Sequence, residues 1–149
     1  MERIICLAIG YLFGMFQTSY IIGKIHHMDI RQYGSGNAGT TNALRTLGKK
    51  AGAMTLIGDM LKCVIAILIV NAVFKNRYQE ILPLLGMYTA AGCVLGHNFP
   101  FYLGFRGGKG IAASAGMLLA MDWRVFLICA VIFIGLVAIT RYVSLGSMA

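Results

Sequence analysis

The chain has 149 residues, 58% of them hydrophobic and only 12% charged, with a formal net charge of +8. A soluble domain is about 45–50% apolar and about 25% charged, so this composition excludes an ordinary soluble enzyme and points to several helices in lipid. The positive charge gathers in short segments between apolar blocks, which in a membrane protein signals topology and anionic ligands, and no nucleic-acid-binding module is evident.

A spanning helix needs about 20 apolar residues. Behind Glu2 and Arg3, the first apolar block runs over residues 4–25, too long for a cleaved signal peptide. A polar, glycine-rich stretch follows over 26–50, then a second block over 51–74 and a short polar turn over 75–80. The third block covers 81–95 and leads into a basic, glycine-rich segment over 97–110. A fourth, short block at 111–121 is expected to recruit the glycines before it in order to cross. A tight turn at 122–124 precedes the fifth block, 125–140. The expected fold is all-α: a polytopic transmembrane helix bundle of about five spans, forming one membrane-embedded domain over 1–149.

If each block crosses once, segments 26–50, 97–110 and 141–149 share one side. That side carries Lys24, Arg31, Arg45, Lys49, Lys50, Arg106, Lys109 and Arg141, against Arg3, Lys75, Arg77 and Arg124 opposite. The richer side is cytoplasmic by the positive-inside rule, which puts the N-terminus outside. Both glycine-rich loops then face the cytoplasm and can build one site.

The first loop holds Gly34, Ser35, Gly36, Asn37, Gly39, Thr40, Thr41, Asn42 and Arg45. Its formal GxGxxG lacks the strand–helix setting of a dinucleotide fingerprint. Glycine backbone, hydroxyls and a planar guanidinium nevertheless suit a phosphate, while the bland reading is a flexible connector. The second loop sets Arg106 and Lys109 among Gly107, Gly108 and Gly110. It is not a Walker A loop, because Gly110 follows Lys109. A phosphate clamp before a helix competes with a basic interfacial turn anchored by Phe99, Phe101, Tyr102 and Phe105.

His97 is a candidate general base or phosphate donor, weighed against a structural histidine at the interface. His26 and His27 read as interfacial. Asp59 and Lys62 stand three apart inside the second block and read foremost as a self-neutralising pair. Ser144 and Arg141, at the end of the fifth block, are candidates to complete the pocket, against a snorkelling arginine at a simple helix end. Cys6, Cys63, Cys93 and Cys129 are widely spaced in apolar blocks and read as packing residues, with no metal-binding spacing.

Taken together, GSGNAGTTNALR, GHNFPFYLGFRGGKGIA and TRYVSLGS, in this order and with the Asp59–Lys62 pair between the first two, strongly resemble the PlsY family of acyl-phosphate:glycerol-3-phosphate acyltransferases. The resemblance covers almost the whole chain. It implies transfer of a fatty acyl group from acyl-phosphate to the 1-hydroxyl of glycerol-3-phosphate, giving lysophosphatidic acid and phosphate without CoA, carrier protein, metal or cofactor. It implies a seven-span fold in the bacterial inner membrane with the site facing the cytoplasm, and a soluble acyl-phosphate synthase upstream.

By the same resemblance Ser35, Arg45, His97 and Lys109 are the catalytic residues. Asn37, Arg106, Gly107, Gly108, Gly110 and Ser144 would contact substrate, with the glycines serving glycerol-3-phosphate. The family's third motif, with a histidine, an asparagine and a glutamate, has no counterpart here, so this chain is expected to lack the C-terminal spans. The His-x-x-x-x-Asp pair of other glycerol-phosphate acyltransferases is absent, since Tyr102, Arg31 and Gln32 stand five residues after His97, His26 and His27. An organic-phosphate transporter and an inactive membrane anchor are the competing classes.

Overall fold

The computed structural model describes residues 1–143, and among them every regular element is helical. The helices are α1 (Glu2–Gly14), α2 (Thr18–Ile25), α3 (Thr40–Leu47), α4 (Lys49–Phe74), α5 (Leu82–Asn98), α6 (Ile111–Met121) and α7 (Trp123–Thr140). Short 3₁₀ turns stand at Ile30–Gln32, Gln79–Ile81 and Phe101–Leu103.

The first apolar block is not one helix but two in tandem. The α-helical pattern ends at Gly14, and Gln17 is extended (φ −103°, ψ 95°) before α2 begins. No proline causes the break. Gln17 is fully buried and its side-chain amide donates to the His97 carbonyl at 2.7 Å, a tertiary bond that holds the backbone out of the helix. The first glycine-rich loop likewise contains a helix, α3, which Gly48 ends with φ +89°.

α4 has 26 residues, about 39 Å of helix, and exceeds the roughly 30 Å hydrocarbon layer. Among the described residues three stretches are long and apolar enough to cross a membrane: Glu2–Ile25, Lys49–Phe74 and Trp123–Thr140. α5 has 17 residues, with Pro83 in its first turn where no helical N–H is lost. α6 starts only after Gly110 and has 11 residues, about 16 Å, so the expected recruitment of the preceding glycines does not occur. Gly110 instead adopts φ +81°, a left-handed conformation that stops helix propagation backwards.

α4 is the hub, touching α1, α2, α3, α5 and α6, while α7 packs on α6. The tightest contact is between α1 and α5, where two small-xxx-small stripes face each other. A methyl on Gly10 would strike the Thr89 carbonyl and one on Gly14 the Cys93 carbonyl. Reciprocally, methyls on Gly92 and Gly96 would strike the carbonyls of Leu7 and Tyr11. Such glycines let backbones approach in lipid, where packing rather than hydrophobic exclusion drives association.

Cys63, Ile67, Ala90, Cys93 and Ala113 form the core between α4, α5 and α6, and Cys6, Val70 and Leu85 a second one between α1, α4 and α5. Three of the four cysteines are thus buried, unbridged packing residues, and Cys129 lies on the outer face of α7. The outward side chains of α4 and α7, among them Ile57, Leu68, Ile128, Val131 and Ile134, are apolar and exposed, as a lipid-facing surface requires.

Candidate functional site

The first loop is built around Asn42. Its carboxamide is buried, donates to the carbonyls of Ile30 and Tyr33 at 3.0 Å each, and accepts from the Ser35 amide at 2.9 Å. This folds the 30–36 segment back over the start of α3. The turn needs left-handed backbone at Gly34 (φ +60°) and Gly36 (φ +71°). A side chain on Gly34 would also strike the Asn42 carboxamide oxygen. Ser35 and Arg45 are left on the surface, and Asn37 is half-buried beside Gly39, the N-cap of α3.

The second loop is tied down at nearly every turn. Tyr11 donates to the Phe99 carbonyl at 2.7 Å, and Tyr102 to the Met15 carbonyl at 2.6 Å. The Gly107 amide donates to the Asn98 carbonyl (3.1 Å) and the Gly108 amide to the His97 carbonyl (3.0 Å). This corrects the open-backbone picture of the loops. The amides of Ser35, Gly107 and Gly108 are engaged, so they are not free donors for a phosphate. The first turns of α3 and α6 keep backbone donors that no intrahelical bond reaches.

Arg31 joins the two loops. Its guanidinium grips both Asp29 oxygens (3.0 and 2.8 Å), stacks over Tyr20 at 5.1 Å, and donates to the Leu103 carbonyl at 2.9 Å. The Arg31 hydrogen bonds hold the Asp29 carboxyl below its ordinary range. Arg45, Arg106 and Lys109 are exposed, and none makes an ion pair among the described residues. The second loop's aromatics, Phe99, Phe101, Tyr102 and Phe105, are all about half exposed, as interfacial anchors are. Thr40 Oγ1, in the first turn of α3, and Asn98 Oδ1, beside Gly110, are buried without a partner among the described residues.

Beneath the loops lies a buried polar network. Lys62 Nζ reaches Asp59 Oδ1 at 3.0 Å, the Phe16 carbonyl at 2.6 Å and His97 Nδ1 at 2.7 Å. Thr18 Oγ1 adds a bond to Asp59 Oδ1 at 3.1 Å. The Asp59–Lys62 pair therefore forms as read from spacing, but it is not self-contained, because it grips the helix break and His97. His97 is 2% exposed, with its imidazole edge against Gly108.

Sequence reading missed the structural roles of Gln17 and Arg31, set by partners 80 and 72 residues away, of Asp29, which pairs with Arg31, and of Asn42, read only as one of the first loop's polar groups. Ser144 lies outside the described residues. Lys62 also lines an apolar groove of about 490 Å³ between α1 and α4, with Leu12, Phe13, Phe16, Gly58, Leu61 and Ile65.

Known proteins resemble this arrangement over nearly the whole chain. The family model described as glycerol-3-phosphate acyltransferase matches residues 4–149. A glycerol-3-phosphate acyltransferase of Clostridioides difficile is 55% identical over 147 residues, covering 97% of this chain and 71% of the relative. One from Lactiplantibacillus plantarum is 46% identical, covering 99% of this chain and 69% of the relative. The crystal structure of PlsY (YgiH), an integral membrane glycerol 3-phosphate acyltransferase in its glycerol 3-phosphate form, superposes with a TM-score of 0.84 at 35% identity, over 99% of this chain and 71% of that one. Its lysophosphatidic acid form gives a TM-score of 0.81. With two basic loops over a helical membrane bundle, and relatives this close over this length, the chain belongs to the glycerol-3-phosphate acyltransferase family.

Proposed function

We propose that this protein transfers a fatty acyl group from acyl-phosphate to the 1-hydroxyl of glycerol-3-phosphate. The hydroxyl oxygen attacks the acyl carbon, the carbon–oxygen bond to phosphate breaks, and the hydroxyl proton leaves with the phosphate. Lysophosphatidic acid and inorganic phosphate are the products, and no metal or cofactor takes part. The observation that carries this reading is that two cation-bearing loops are tied to one another, with their exposed cations unpaired among the described residues. Arg45 stands in the last turn of α3, Arg106 and Lys109 lie just before the start of α6, and Arg31 holds the two loops together.

An acyl-phosphate is already activated, so the reaction needs alignment of two phosphate-bearing substrates and charge neutralisation more than it needs a protein nucleophile. Arg45 and Lys109 supply the field, and Ser35 orients a phosphate or the oxyanion. Asn37, Arg106, Gly107, Gly108, Gly110 and Ser144 complete the substrate contacts, the glycines by letting the chain pass close. The unpartnered Thr40 Oγ1 and Asn98 Oδ1 favour a polar ligand here, since a buried polar atom without a partner costs about 1–3 kcal/mol. PlsY, the solved relative, was captured with glycerol 3-phosphate and with lysophosphatidic acid.

The sidedness follows from charge, and the membrane from the family. Residues 1–149 form one membrane-embedded domain in the bacterial inner membrane, with the loops on the cytoplasmic side and the N-terminus outside. A soluble enzyme must then supply the lipophilic, labile acyl-phosphate.

The test is phosphate release by the purified protein in nanodiscs, with acyl-phosphate, acyl-CoA or acyl-carrier protein as donor. We expect glycerol-3-phosphate-dependent release from acyl-phosphate alone, matched by lysophosphatidic acid. Activity only with a thioester donor would overturn the donor assignment.

A further inference from the structure

We propose that Lys62 is a positioning residue that fixes His97 in one tautomer, proton on Nε2, so that His97 meets the second loop as a hydrogen-bond donor and not as a base. The functional half of this inference rests on the acyl-transfer reading above.

Counting hydrogen bonds carries the proposal. An ammonium has three donors and no acceptor. Lys62 Nζ has three neighbours at bonding distance: the Phe16 carbonyl (2.6 Å), Asp59 Oδ1 (3.0 Å) and His97 Nδ1 (2.7 Å). One N–H goes to each, so Nδ1 must present a lone pair. A neutral imidazole carries one proton, which therefore sits on Nε2.

Moving that proton to Nδ1 would point an N–H at an ammonium. The other arrangement, a neutral Lys62 accepting from the ring, would leave the buried Asp59 carboxylate without its cation. Nor does Asp59 replace Lys62 as the ring's partner, because its nearer oxygen is 3.9 Å from Nδ1.

The far edge of the ring faces the loop. A methyl on Gly108 would strike Nε2, and the His97 carbonyl is held by both the Gly108 amide and the Gln17 carboxamide. Among the described residues Nε2 has no partner of its own. The helix break at Gln17 belongs to the same device, since it leaves the Phe16 carbonyl outside the helical ladder and open to accept from Lys62.

Two measurements test this. The first is NMR of the protein labelled with ¹⁵N-histidine in nanodiscs, with the His97 signals assigned by difference against His97→Gln. We expect Nε2 protonated and Nδ1 bare at neutral pH, and loss of the single tautomer in the Asp59→Asn/Lys62→Met double variant, which leaves no lone buried charge. A protonated Nδ1, or a tautomer indifferent to the double variant, overturns the proposal whether or not the enzyme turns over acyl-phosphate.

The second compares His97→Gln, whose amide supplies an N–H, with His97→Leu, which supplies none. The first is expected to stay within tenfold of wild type in kcat/KM and the second to fall further. Equal losses, with disappearance of an acidic limb from the pH profile, would make His97 a base and overturn the donor role. Absence of turnover in wild type with a correct tautomer would instead count against the acyl-transfer reading alone.

Discussion

Replacing Gly108 by alanine probes the point where the loop meets the buried network. Gly108 does not use a left-handed backbone, so alanine carries no conformational penalty there. The cost is contact. The new methyl would strike His97 Nε2 and lie 2.8 and 2.9 Å from the two ring carbons beside it. The ring has little room to retreat, because Lys62 Nζ sits 2.7 Å from its opposite nitrogen and the residue is almost wholly buried.

Overpacking of this kind costs about 1–3 kcal/mol. At about 1.4 kcal/mol per factor of ten, a cost borne entirely by the loop's substrate-competent position lowers kcat/KM by about 5- to 150-fold. Initial rates of lysophosphatidic acid formation at varied glycerol-3-phosphate measure it, and the loss should fall mainly on KM. A Gly108→Ala protein within twofold of wild type would refute the claim that the loop's position depends on its contact with His97.

Other substitutions test the frame. Gly14→Ala and Gly96→Ala each drive a methyl into a facing carbonyl and should lower the melting temperature in detergent by several degrees. Gly135→Ala, with open space around it on α7, should not lower it. Asn42→Ala removes three hydrogen bonds at about 1 kcal/mol each. It should expose the 30–36 segment to protease and abolish most activity, and an unchanged digestion pattern would contradict the clamp.

Asp29→Asn tests the loop brace through pH. The Asp29 pKa is depressed in the folded protein by Arg31, so its stabilising contribution is present above the ordinary carboxylate value and fades as pH falls through the lower folded one. The melting-temperature gap between wild type and Asp29→Asn should therefore close in that acidic window. A gap that stays constant would mean that the Asp29–Arg31 pair is not its source.

How far the sequence speaks depends on the range of the interaction. Long apolar blocks carry their own signal, so α4, α5 and α7 appear close to where composition puts them. The Asp59–Lys62 pair is legible because both partners lie on one helix face, and the glycine-rich loops because small residues and cations cluster locally. The break at Gln17 is illegible, since its cause is the His97 carbonyl, 80 residues away. Arg31 looks like one more interfacial cation until its bond to Leu103 shows it bridging two loops. Asn42 reads as a generic loop polar residue, and only the folded turn reveals its three bonds. The free backbone expected at Gly107 and Gly108 fails for the same reason, because their partners, the carbonyls of Asn98 and His97, become acceptors only when α5 ends there.

The most direct test of a single phosphate-handling site shared by both loops is lysophosphatidic acid formation from acyl-phosphate by Ser35→Ala, Arg45→Ala and Lys109→Ala in nanodiscs, beside Lys75→Ala from the opposite side of the bundle. Losses of about 100-fold or more in each of the first three, with Lys75→Ala within twofold of wild type, are expected. Near-wild-type rates in Arg45→Ala or Lys109→Ala would contradict it, because one loop would then suffice.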